Sequence, residues 1–157
     1  MSSRNIFVAV DESSHSVGAY NFALDNIAKK DDIVTVIVVV SSESEREMAV
    51  ERTTTLIRAI ADPDHLDVKY KVQVLVPTAL QKIGPLLCDL VEEKKPDMLV
   101  LGSAGKSHLE GFLVGSVSNH CIAHANCAVI VARVTPADEL KAQKKASRIP
   151  QNHPMYV

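Results

Sequence analysis

The stretch MLVLGSAGKSHLEGFLVGSVSN, residues 98–119, passes from an apolar run through a glycine-punctuated loop into a segment with helical spacing. Met98 to Leu101 is short, continuous and apolar, which predicts a strand covered on both faces. Gly105-Lys106-Ser107 looks like the close of a P-loop. That pattern needs a glycine five residues before Gly105, however, so that four peptides can wrap N–H groups around a phosphate. Val100 occupies the position and belongs to the strand. The loop therefore starts at Gly102, and any phosphate it holds is held in another geometry.

Reading outward from this strand–loop–helix unit, the same alternation recurs along the chain. Ile6 to Val10, Ile33 to Val40, Val68 to Val76 and Ala128 to Ala132 are further apolar or alternating runs. They predict four more strands. Between them, Ser13 or Ser14 can cap a helix reaching about Lys29, with Val17, Tyr20, Leu24 and Ile27 on one face. A second helix spans Glu43 to Ile60 behind the acidic run Glu43-Ser44-Glu45, a solvated start suited to the positive end of a helix dipole. A third opens at Gly84-Pro85, with proline in its first turn. A fourth is expected from Gly111 to His124. Strands alternating with helices imply right-handed crossovers, and hence a doubly wound, five-stranded parallel α/β sheet of Rossmann-like or flavodoxin-like type.

The chain has 157 residues, 46% of them apolar, enough for one domain that needs neither disulfides nor a structural metal. A net charge of −2 gives no overall attraction to nucleic acid or anionic membrane, so an anion site has to be local. Cys88, Cys121 and Cys127 are odd in number and lie in apolar patterns, as reduced buried thiols do. No signal-like segment opens the chain and no apolar run is long enough to span a bilayer, so a cytoplasmic protein is expected. Scarce aromatics and absent tryptophan argue against a base-stacking surface.

Ligands of doubly wound sheets bind beyond the carboxyl ends of the strands, where strand order reverses. Two such loops carry chemistry. Asp11 stands at the end of the first strand, where a carboxylate can also be no more than the cap of the next helix. After the fourth strand come Gly102 and Gly105, then Gly115-Ser116 ahead of a helical run. Residues without side chains leave N–H groups free to face an anion at a helix N-terminus. Lys106 can neutralise a γ-phosphate, but a solvated loop lysine is the simpler reading. His120 and His124, one turn apart near Cys121 and Cys127, have zinc-like spacing, but the helix phase keeps the two residue types from converging. Ser13 and His15 form no hydrolase pair, and no G-x-S-x-G elbow occurs.

Gly102-x2-Gly105-x9-Gly115-Ser116 resembles the G-x2-G-x9-G-[ST] motif of the ATP-binding branch of the universal stress protein family. The likeness extends through SVSNHCIAHANCAVIVAR and, at the other end, IFVAVDESSHS, so it covers about Asn5 to Arg133. Pro77 to Lys82 lack the family's usual glycine after the third strand. The resemblance implies that Asp11 reaches the ribose hydroxyls, with the backbone of Ala9 and Val10 on the same wall. Val39 would take the adenine edge, although the histidine that usually precedes it is replaced by Val38. Gly102 and Gly105 would border ribose and phosphates, and Gly115, Ser116, Val117 and Ser118 would hold the triphosphate. Mg2+ would arrive on the nucleotide (ATP, or ADP or AMP), since no carboxylate cage is evident.

No residue is placed as general base, Walker-B carboxylate or arginine finger, so the implied role is regulatory, in stress response, with slow or no hydrolysis. A slow ATPase or related nucleotide-transforming enzyme, and a partner-binding stress protein with an empty pocket, are the alternatives. A protein client is implied but not named by any residue. Ala128 to Ala132 would be the last, unguarded strand of the open sheet, and related proteins commonly dimerise through it, so a homodimer is expected. Residues 1–133 then form the nucleotide-binding domain. Residues 134–157, with three prolines and mostly basic charge, read as a partly irregular, solvated extension in which Ala137 to Ala146 form a short helix.

Overall fold

A computed structural model describes residues 2–10, 14–61, 67–103 and 115–148. Five strands form one sheet: β1 (Asn5–Val10), β2 (Ile33–Val39), β3 (Lys69–Leu75), β4 (Met98–Gly102) and β5 (Ala128–Ala132). All four pairings are parallel, in the order β3-β2-β1-β4-β5. Helices α1 (Ser14–Asn26), α2 (Arg46–Ala61), α3 (Ile83–Lys94), α4 (Ser116–His124) and α5 (Pro136–Ala146) connect and follow them. A short 3-10 turn, Glu43–Glu45, leads into α2.

Period-two alternation sends each strand's side chains to two cores. On one face Ile6, Val8, Val34, Val36 and Val100 pack with Tyr20 and Leu24 of α1 and Ile57 and Ile60 of α2. On the other, Phe7, Ile37, Leu99 and Leu101 meet Leu87, Leu90 and Val91 of α3 and Cys121 of α4. Both faces of the central strands are thus covered, which is why β1, β2 and β4 read as unbroken apolar runs. The two edges differ. On β3, Lys69 and Lys71 are exposed, whereas β5 carries half-buried Val129, Ile130 and Val131 with no charge among them.

At the amino-terminal edge of the sheet a buried carboxylate ties three elements together. Asp32, 3% exposed, pairs with the Arg4 guanidinium and accepts the backbone N–H of Lys29 at 2.8 Å and of Arg4 at 3.2 Å. Its own carbonyl takes the N–H of Lys69 at the start of β3, at 2.9 Å. Burial pushes the Asp32 carboxyl up, but Arg4 and the two N–H donors outweigh it and hold the group below the ordinary aspartate range. Asp31, just before it, takes a left-handed conformation with φ 68°. Helix α1 itself ends at Asn26, short of the Lys29 expected from periodicity, its last turn closed by Ala28 N–H donating to the Ala23 carbonyl at 2.8 Å.

Helix α5 is not a solvated appendage. Thr135 and Asp138 form a reciprocal capping box at its start. Ala142 is buried, and Lys141 and Lys145 both reach Asp25 of α1. Close approach is possible because Gly18 has no side chain: a Cβ there would stand 2.4 Å from Cγ1 of Val134. Helix α1 is therefore enclosed between the sheet and α5. The expectation of a surface tail overlooked this, since the burying residues are alanine, glycine and lysine stems rather than large apolar groups.

Across the sheet, Gly84 sets the approach of α3 to α4. A Cβ on Gly84 would lie 2.8 Å from Cβ of His120, an atom anchored to backbone that cannot swing aside. Alanine is ordinarily the better helix former by about 1 kcal/mol. Here Gly84→Ala should instead destabilise the protein by about 1–2 kcal/mol, because the helices must separate. Urea unfolding that finds the variant equal or more stable would contradict this packing.

Candidate functional site

Strand order reverses between β1 and β4: from β1 the chain winds outward through β2 and β3, then crosses back to β4 on its other side. In a parallel sheet this is where the loops at the carboxyl ends diverge and leave a crevice. The sheet register brings the sequence-identified residues to that edge. Ala9 and Val10 close β1, with Val10 opposite Val38, and Val39 ends β2 beside them. Gly102 ends β4 and pairs with Ala132. Ala9, Val10, Val39 and Gly102 are half-buried, a partly apolar wall with backbone polar groups at its rim. Asp11 and Gly105 lie outside the described residues, as does Lys106.

Above the end of β4 sits the N-terminus of α4. Gly115 is its N-cap, extended at φ −64° and ψ 163°, so α4 begins at Ser116; residues 111–114 of the helix expected from Gly111 lie outside the described residues. A glycine N-cap and low helix propensity are the signals that place this boundary. Because glycine has no side-chain oxygen, no cap bond forms, and the first turn holds no acidic residue. The N–H groups of Ser116, Val117 and Ser118 precede the first residue that can bond back along the helix, Asn119 to the Gly115 carbonyl at 2.9 Å. The positive dipole end of a helix and its first-turn N–H groups, which have no partner within the helix itself, favour an anion.

Ser118 orients this terminus. It is buried, and its hydroxyl donates to the Gly102 carbonyl at 3.4 Å, linking the start of α4 to the end of β4. The bond is long for a hydroxyl donor, so the hydroxyl can be surrendered to a better acceptor. Ser116 is exposed and Val117 half-buried. Ser103, by contrast, has its N–H committed to the Ala132 carbonyl at 3.0 Å. The donor set thus suits a phosphate on α4, with the apolar wall of β1 and β2 to one side.

A model of the universal stress protein family matches residues 2–133. The chain belongs to the universal stress protein family. A protein of Staphylococcus haemolyticus named for the same family is 29% identical over 145 residues, covering 87% of this chain and 88% of its own length. An uncharacterized protein of Schizosaccharomyces pombe is 27% identical over 139 residues, 81% of this chain but only 23% of that much longer protein. Among solved structures, the universal stress protein UspA from Lactobacillus plantarum superposes with a TM-score of 0.63 at 23% identity, over 85% of this chain and 99% of its own. A family member from Arabidopsis thaliana with AMP bound gives 0.61 at 21% identity, over 85% and 94%. A universal stress protein in complex with cAMP gives 0.60 at 20% identity, over 86% and 100%. These likenesses agree with the five-stranded Rossmann-like fold.

The three cysteines are free thiols, and burial pushes Cys121 up to about 12. Among the described residues no group of three His, Cys, Asp or Glu is placed to hold a metal ion, and no helix is long and apolar enough to cross a membrane.

Proposed function

We propose that this chain binds an adenine nucleotide, ATP or its di- or monophosphate, at the β1/β4 crevice and acts as a nucleotide-dependent regulatory protein in stress response. The observation that carries the reading is the glycine-capped, acid-free N-terminus of α4, docked by Ser118 onto the end of β4 at the point where strand order reverses. Phosphates would lie on the N–H groups of Ser116, Val117 and Ser118, with Gly102, Gly105 and Gly115 permitting backbone approach. Adenine would lie toward Val39, Ala9 and Val10, and Asp11 would take the ribose hydroxyls. Mg2+ comes with the phosphates and needs no protein cage. Solved family members holding AMP and cAMP support the ligand class. The regulatory reading has ATP turned over slowly or not at all, in the cytoplasm, with assembly as a homodimer through β5 and a protein client as the outputs.

Two measurements test the site. Mass spectrometry of small molecules released from the purified protein should find an adenine nucleotide at near-stoichiometric occupancy. Calorimetry should show Gly115→Val weakening ATP at least tenfold, roughly 1.4 kcal/mol, since a β-branched side chain crowds the phosphate position. Unchanged affinity in a variant with native circular dichroism would remove the phosphate from α4.

A further inference from the structure

The three thiols gather where α3 meets α4, and the proposed nucleotide site uses none of them. Cys88 belongs to α3 and Cys121 to α4, while Cys127 stands just before β5; all three pack into one core. Gly84 is what lets two of them meet. Without a side chain there, the helices approach until a Cβ on Gly84 would stand 2.8 Å from Cβ of His120. Cys88 lies one turn along α3 from Gly84, on the same face, and Cys121 follows His120 directly on α4. The S–H of Cys121 has two acceptors in reach, the Gly84 carbonyl at 4.0 Å and the sulfur of Cys88. A disulfide requires backbones that approach closely and side chains that point toward each other. A thiol that donates to a thiol across this contact starts from both.

The two sulfurs are not equivalent. Cys121 is fully buried, and burial pushes it up to about 12. Cys88 is half-buried; burial raises it as well, but the Cys121 S–H pulls the other way by stabilising the Cys88 thiolate. Cys88 is therefore the sulfur of the pair that solvent reaches and that ionises more readily, with Cys121 behind it as a protected second thiol.

We propose that Cys88 and Cys121 form a reversible disulfide when the protein meets a peroxide, pinning α3 to α4. The Cys88 sulfur attacks one oxygen of H2O2, the O–O bond breaks, and the thiol proton joins the departing hydroxide, leaving a sulfenic acid and water. The Cys121 sulfur then attacks the sulfenic sulfur, the S–O bond breaks, and the Cys121 proton leaves with the hydroxyl as a second water. Both thiols are oxidised and one peroxide is reduced. In a reducing compartment such a bridge is transient and reports the oxidant. The stretch it closes, from Cys88 to Cys121, carries β4, Gly102 and the first turn of α4. Oxidation thus restrains the elements of the candidate phosphate site, although the bridge itself does not depend on that reading.

The pair is tested by treating the reduced, full-length protein with H2O2, blocking the remaining thiols with N-ethylmaleimide and mapping the peptides by mass spectrometry. The parent should lose two hydrogens in intact mass, yield a linked peptide joining Cys88 to Cys121, and recover both thiols with dithiothreitol. Its unfolding temperature should rise on oxidation, because a cross-link constrains the unfolded chain. Cys127→Ser should behave as the parent does, whereas Cys88→Ser should neither bridge nor gain stability. Oxidised in urea, the parent should give mixed pairings, since only the fold selects one. Three thiols all still open to blocking after peroxide, Cys88 carried to the sulfinic acid without a bridge, or a linked peptide through Cys127 in the folded parent overturns the proposal.

Discussion

Replacing Asp32 by alanine should cost about 3 kcal/mol of folding free energy, because breaking one side of a buried ion pair leaves its partner uncompensated. The value falls at the lower end of the usual range, since the Arg4 side chain is 30% exposed and can turn toward water. Two backbone donors, on Lys29 and Arg4, lose their acceptor as well. Urea denaturation measures the effect directly; a loss below about 1 kcal/mol, the size of an ordinary exposed pair, would mean that the knot does not hold β1, β2 and β3 in register. The same group predicts a pH dependence. With its folded pKa held below the unfolded value, Asp32 contributes its stabilisation above the unfolded aspartate pKa of about 3.9 and gives it up as the pH falls through the lower folded value. Stability should therefore decline on acidification below about pH 4, and Asp32→Asn should flatten that limb.

A second large effect is expected at the other end of the order, on β5. In a parallel ladder each residue sends its N–H and C=O to one neighbour and the next residue sends them to the other. The Ala132 carbonyl accepts Ser103 N–H, so Ala132 faces β4, and with it Ile130. Val129 and Val131 then direct their polar groups to the open edge. If a second copy pairs there, as proposed, Val131→Pro deletes a donor from the seam while leaving the β4 ladder intact, and proline is tolerated on an edge. The variant should be a folded monomer at concentrations on the order of tens of micromolar, where a parent dimer of micromolar affinity persists. Ile130→Pro should behave differently, since it cuts the bond to β4 and unfolds the edge itself. Light scattering that finds the parent monomeric, or Val131→Pro still dimeric, would reject pairing through β5.

All five strands were legible in the sequence to within one or two residues: burial on both faces writes β1, β2 and β4 as uninterrupted apolar runs, while the half-covered β3 shows as alternation and β5 as a short apolar run. The end of α1 was not. Its periodicity continues to Ile27, whereas the chain leaves the helix after Asn26 and is held past it by the carboxylate of Asp32 on the Lys29 N–H and by left-handed Asp31. Nothing in a run of Lys-Lys-Asp-Asp distinguishes a solvated charge cluster from a buried knot until Arg4, 28 residues away, is seen beside it. At the candidate site, glycine spacing pointed to Gly102 and to Gly115, which caps α4; the stretch before Gly115 lies outside the described residues. The Ser118 to Gly102 link needed coordinates, since it depends on where two elements meet.

The enclosure of α1 has a bearing on what counts as the unit of folding. The family pattern stops at residue 133 and would invite a cut there. The chain's packing does not stop with it. Without the segment from Val134 through α5, Asp25 would lose both lysines and Gly18 would become a bare notch. What makes the chain recognisable to its relatives and what makes it hold together have different lengths, and the second runs on to at least Ala146.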